Sequence, residues 1–238
     1  MELTSISMAQ PFAVDPSLSI PFPSPEELRQ SLSGTTRRSR EIFARLWLTE
    51  GCPAAFHACP SVYEDIRGWL SSRIQVHPKE ITLIGSARIG YSLAPPPEFG
   101  RPFGDKSDLD LSVISRDLFG RLVSAFATFS NDYKNGIVVP RSEHERELWG
   151  ANLAFGERNI PRGFFDANKV PNFDRYPVAQ QVNQAMWALL KKLQATAGAP
   201  KVRRASTRVY RDWQSFLQIV CLNLHAALHE RLGTSVRK

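Results

Sequence analysis

The chain has 238 residues, 42% of them hydrophobic and 22% charged, the balance of a globular protein able to bury a core and not of a disordered or fibrous one. Lys and Arg number 30 against 23 Asp and Glu, and the resulting +7 favours polyanionic partners such as nucleotides or RNA while saying nothing about fold. Three cysteines, Cys52, Cys59 and Cys221, are too few for a disulfide scaffold, no apolar run approaches a membrane span, and no secretory leader opens the chain, so a cytoplasmic protein without a membrane partner is expected.

In chain order, residues 1–23 are rich in Ser and Pro without a sustained period, the composition of a flexible tail. Ser24-Pro25-Glu26-Glu27 carries an N-cap serine, a first-turn proline and a glutamate three residues after the cap, which predicts a helix. A second helix is expected over 36–50, burying Ile42, Phe43, Leu46 and Trp47, and a third from the box Ser61-x-x-Glu64 to Ile74. Ile81-Thr82-Leu83-Ile84 then reads as a buried strand that stops at Gly85-Ser86. A strand turning through Gly-Ser into a helix suits a phosphate: Gly85 permits close backbone approach, Ser86 offers a hydroxyl, and the N–H groups from Ala87 onward attract an anion. Arg88 is either a cation reaching that phosphate or an ordinary solvated arginine.

After a Pro- and Gly-rich loop around Pro95 to Gly104, Ser107 to Ile114 forms a second strand whose alternation sends Asp108 and Asp110 to one face and Leu109 and Leu111 to the core. Two neighbouring carboxylates repel unless a cation lies between them, and Mg²⁺ takes such oxygens together with substrate phosphates. A helix follows over 116–130, a short strand at Gly136–Pro140, a helix from Ser142 through Trp149, and a loop over 159–176 with a brief strand at Gly163–Asp166. Pro177 opens the clearest helix, to Gln194. Residues 201–211 read as a strand whose Lys201, Arg203, Arg204, Arg208 and Arg211 have no acid among them, and a buried helix runs from Asp212 or Trp213 to Leu232. That basic run suits either an RNA or triphosphate contact or a solvated face.

Gly85-Ser86 followed by Ser107-Asp108-Leu109-Asp110-Leu111 resembles the signature of the DNA polymerase β-like nucleotidyltransferase superfamily, although residues 87–107 make a longer insertion than in its minimal members. The resemblance covers the stretch from Ile81 to Ser115. It implies a mixed α/β (α+β) domain over 24–176, built on a small mixed sheet, with a mostly helical portion over 177–238 packed on it and the insertion acting as a flap beside the nucleotide. It further implies Mg²⁺ or Mn²⁺ on Asp108 and Asp110, the phosphates of an NTP on Gly85, Ser86 and Arg88, and transfer of a nucleoside monophosphate to a hydroxyl of a nucleotide, RNA or protein, in a setting such as bacterial defence or a toxin–antitoxin pair. A third carboxylate is required from a neighbouring strand. Asp166 is the first candidate, ahead of Asp174 in a loop and Asp212 at a helix cap. Lacking it, the fold would bind nucleotide without transferring it.

Overall fold

Strands β1 (Ile81–Ile84), β2 (Asp108–Ile114), β3 (Phe164–Phe165) and β4 (Arg204–Tyr210) form one mixed sheet in the spatial order β1-β2-β4-β3. The structure is a computed structural model and describes residues 22–229 apart from 33 and 96. The tail expected over 1–23 lies almost wholly outside these residues, as does the last helix beyond 229. β1 runs antiparallel to β2 with Ile84 opposite Asp110, β4 runs parallel to β2, and β3 pairs antiparallel with Val209 and Tyr210 alone. On the side away from β2, the edge of β4 from Arg204 to Arg208 therefore has no strand beside it among the described residues.

Eight α-helices among the described residues surround the sheet: α1 (Pro25–Leu32), α2 (Arg37–Trp47), α3 (Pro60–Ile74), α4 (Ser86–Ile89), α5 (Arg116–Lys134), α6 (Glu143–Asn159), α7 (Pro177–Ala195) and α8 (Trp213–His229). The odd positions of β2, Leu109, Leu111 and Val113, join Val209 and Phe165 in a core with α3, α5 and α7. Each such side chain contributes about 1.5–3 kcal/mol by leaving water. The opposite face changes character along its length. On β2 the even positions run Asp108, Asp110, Ser112, Ile114, and in register beside them β4 places Arg204, Ser206, Arg208, Tyr210. Ile114 and Tyr210 nucleate a second core with Phe164, α1, α2 and α8. The Asp108 and Arg204 end is too polar to be covered in this way, and it becomes the floor of the site.

The mixed α/β architecture agrees with expectation, while several details differ. The box Ser24/Glu27 forms, with Glu27 N–H bonded to Ser24 Oγ and Ser24 N–H to Glu27 Oε2. The box at Ser61 does not form: α3 starts one residue earlier at Pro60, whose fixed φ and missing N–H suit a first helical position. Gly136–Pro140 is not a strand. Gly136 turns the chain at φ 69°, Ile137 N–H returns to Asp132 O, and Ile137 and Val139 stay exposed with no neighbour to pair. α6 continues beyond Trp149 to Asn159 because no residue in that stretch breaks it. The division at residue 177 is not a seam either, since β4 comes from the C-terminal portion and lies inside the sheet between β2 and β3. No helix among the described residues is long and apolar enough to cross a membrane.

Candidate nucleotide site

The hairpin of β1 and β2 brings Gly85-Ser86 to the Asp-x-Asp strand, as the sequence led us to expect. Gly85 adopts φ 68° and ψ −154°, a conformation closed to other residues, and a Cβ placed there would lie 3.4 Å from Asp110 Oδ2. The missing side chain leaves space beside that carboxylate oxygen. Gly85, Ser86, Asp108 and Asp110 line one cavity of about 430 Å³. The insertion forms one wall through Ser92 to Pro95, Arg101 and Lys106, and α8 closes the other with Val220, Asn223 and Leu224. The insertion is held in place by its own backbone: Ser92 N–H bonds to Arg101 O, Gly100 N–H to Ser92 O and Phe103 N–H to Gly90 O.

The aspartates expected at the site have definite partners. Asp108 accepts Arg203 Nε at 3.1 Å and Arg204 Nη2 at 2.6 Å. Burial would raise its carboxyl, but the hydrogen bonds and charges of Arg203 and Arg204 outweigh burial and hold it below the usual carboxylate range. Asp110 accepts Ser206 Oγ at 2.6 Å. α4 lasts a single turn and Ala87 within it is buried, so the polar groups turned to the cavity beside Asp108 and Asp110 are mainly the side chains of Ser86, Arg101, Lys106 and Arg203.

Arg88 is not a phosphate ligand. It is 0% exposed, donates from Nε to Trp47 O and from Nη1 to Gly51 O, and burial pushes its pKa down. It braces the turn after α2 against α4, neither of the two roles expected from the sequence.

Asp166 stands at the end of β3, gripped by Arg208 through Nε to Oδ1 at 2.7 Å and Nη2 to Oδ2 at 2.9 Å. Extending the register places it across Arg208 from Ser112, two strand spacings or about 9.5 Å from β2 and one pleat beyond Asp110. Ligands to one Mg²⁺ lie about 2.1 Å from the ion, so Asp166 cannot share an ion with Asp110 where it stands. Asp174 accepts Gln180 Nε2 at the surface, and Asp212 caps α8 through Ser215 N–H. The strand beside Asp110 offers Arg204, Ser206 and Arg208, and no carboxylate. Among the described residues no group of three or more His, Cys, Asp or Glu is placed to hold a metal.

The donors that remain, Asp108, Asp110 and the Ser86 hydroxyl with open space at Gly85, fit one Mg²⁺ completed by substrate phosphates. They do not fit two. The basic run of 201–211 also proves less free than its sequence suggests, since Arg203 and Arg204 meet Asp108, Arg208 meets Asp166 and Arg211 meets Asp212. Sequence reading missed Ser206, Arg101 and Lys106. The alternation Arg204-x-Ser206-x-Arg208 was the available signal for Ser206, but only the sheet order gives it meaning.

Compared with known proteins, the chain matches no family model, no curated protein and no solved structure.

Proposed function

We propose that this protein binds a nucleoside triphosphate in the cavity between Gly85-Ser86 and Asp108/Asp110, as a nucleotide-binding module of the nucleotidyltransferase type. The observation that carries the reading is Ser206, a hydroxyl flanked by two arginines, on the strand where the resemblance calls for a third carboxylate. Ser86, Lys106 and Arg101 receive the terminal phosphates, and Arg203, about two-thirds exposed, leaves Asp108 for the incoming anion. The guanidinium side of the Arg203 and Arg204 pairs is exposed while the Asp108 side chain is only 14% exposed, so the exchange costs little where a cation replaces the arginine at that carboxylate. A divalent cation on Asp108 and Asp110 would supply charge neutralisation of the triphosphate.

Nucleotidyl transfer to a hydroxyl acceptor, with Mg²⁺ or Mn²⁺, is the second reading. It is favoured by the meeting of Ser86 and the two aspartates in one cavity. One experiment separates the two: thermal unfolding with each of the four NTPs and Mg²⁺, run beside an assay of pyrophosphate release. A rise in stability without pyrophosphate supports the binding module, and pyrophosphate lost in the double variant Asp108→Ala, Asp110→Ala supports transfer. Neither binding nor release rejects both.

A further inference from the structure

A second and larger cavity, of about 940 Å³, opens on the other side of Asp110. Its walls are α6 and α7, its floor is the unpaired edge of β4, and residues 166–173 close one end. Ile84 and Asp110 line both cavities, so the two meet at that carboxylate.

The lining is unusual in two ways. Trp187 is 66% exposed and Leu148 47% exposed, large apolar surfaces left open to one groove. Asn152, also in the lining, is only 4% exposed and brings a polar amide side chain to the groove wall. Formal charges are confined to Glu145 and to the sheet end, where Asp110, Asp166, Arg204 and Arg208 stand. The groove therefore suits a flat apolar face with a donor–acceptor edge, and at the sheet end the exposed guanidinium of Arg204 is the cation within reach of an anion.

We propose that this cavity binds a nucleotide unit, its base stacked on Trp187 and its edge paired with the Asn152 amide, with the attached phosphate toward Arg204. The planar amide offers two donors and an acceptor, a match for the edge of a nucleobase. An acyl chain or an apolar peptide side chain would make no use of the Asn152 amide. The unit comes either from a free mononucleotide or from an RNA strand. This site is separate from the triphosphate site and stands if that one fails.

The test is calorimetric titration with each of the four nucleoside monophosphates and with trinucleotide RNAs, in EDTA and with excess tripolyphosphate filling the first cavity. Binding is expected to persist under tripolyphosphate, to weaken about ten-fold or more in Trp187→Ala, and to lose preference among bases in Asn152→Ala. Trp187 is mostly exposed, so its truncation leaves the fold intact, and thermal unfolding verifies this for both variants. Tighter binding of trinucleotides identifies a strand as the source, and equal binding identifies the free nucleotide. Absence of binding, indifference to Trp187→Ala, or displacement by tripolyphosphate overturns the proposal.

Discussion

Ser206 Oγ donates to Asp110 Oδ1 at 2.6 Å from the strand directly beside it. A hydroxyl satisfies that oxygen without adding charge, so the pair Asp108/Asp110 is left as the whole anionic content of its cavity. Ser206→Asp would place a third carboxylate opposite Asp110. Mn²⁺ binding, followed by electron paramagnetic resonance, is expected to tighten by about ten-fold because affinity follows ligand charge. Unchanged affinity would reject a cation centre at Asp110.

Asp108 occupies two exposed guanidinium groups, of which that of Arg203 lines the cavity proposed for a triphosphate. In Asp108→Asn those groups are released, and tripolyphosphate binding without divalent cations is expected to tighten about two- to five-fold, the worth of exposed ion pairs. The same variant should lose the gain that Mg²⁺ gives the wild type. Titration calorimetry with and without Mg²⁺ reads both effects, and weaker binding in EDTA would contradict the exchange of Arg203 onto phosphate.

Arg88 ties two loop carbonyls together from inside the protein. Arg88→Met leaves Trp47 O and Gly51 O without that donor, at a cost of about 2–4 kcal/mol in urea unfolding. Under native conditions its tripolyphosphate affinity should match wild type. A variant that loses affinity at full stability would return Arg88 to the site.

Glycines in and next to α6 should respond with opposite signs. At Gly156 a Cβ would fall 2.1 Å from Phe126 Cζ, so Gly156→Ala forces α5 and α6 apart and costs about 1–3 kcal/mol. At Gly163, with φ 82° and Ser215 Oγ 2.1 Å from a Cβ, alanine is both strained and crowded, again about 1–3 kcal/mol. Gly150→Ala meets nothing within 4 Å and should stabilise by about 0.5–1 kcal/mol. Chemical denaturation of the three variants measures the contrast.

Asp212 accepts Ser215 N–H at 2.7 Å at the start of α8. That backbone hydrogen bond, opposed by partial burial and helped by Arg211, lowers its pKa to about 2. A folded-state pKa below the unfolded value of about 3.9 means that the capping stability is complete above about pH 4 and is lost as pH falls toward 2. Asp212→Ala should cost about 0.5–2 kcal/mol near neutral pH. The gap from wild type should close through that acid window, and a gap that persists at pH 2 would assign the stability to something other than the ionised cap.

The two strands of the motif were legible because local pattern dictates them. Leu109 and Leu111 must face a core, so Asp108 and Asp110 must share the other face, and Gly85-Ser86 must turn where β1 ends. The Ser24 cap, the helix from Pro177 and the Asp212 cap were legible for the same reason, each depending on residues within a turn or two. Gly136–Pro140 misled because β-branched residues favour a strand only where a partner strand exists.

What the sequence determined by itself, then, is the set of amphipathic elements and the placement of one carboxylate pair beside one Gly-Ser turn. Only the tertiary structure decided that β4 inserts between β2 and β3, and that insertion settles the chemistry of the site's neighbours. It sets Ser206 against Asp110, commits Arg203 and Arg204 to Asp108, and carries Asp166 away on Arg208. These partners lie from 42 to 96 residues apart in the chain. Periodicity assigns a residue to a face, whereas which strand lies beside it is fixed by the packing of the whole sheet.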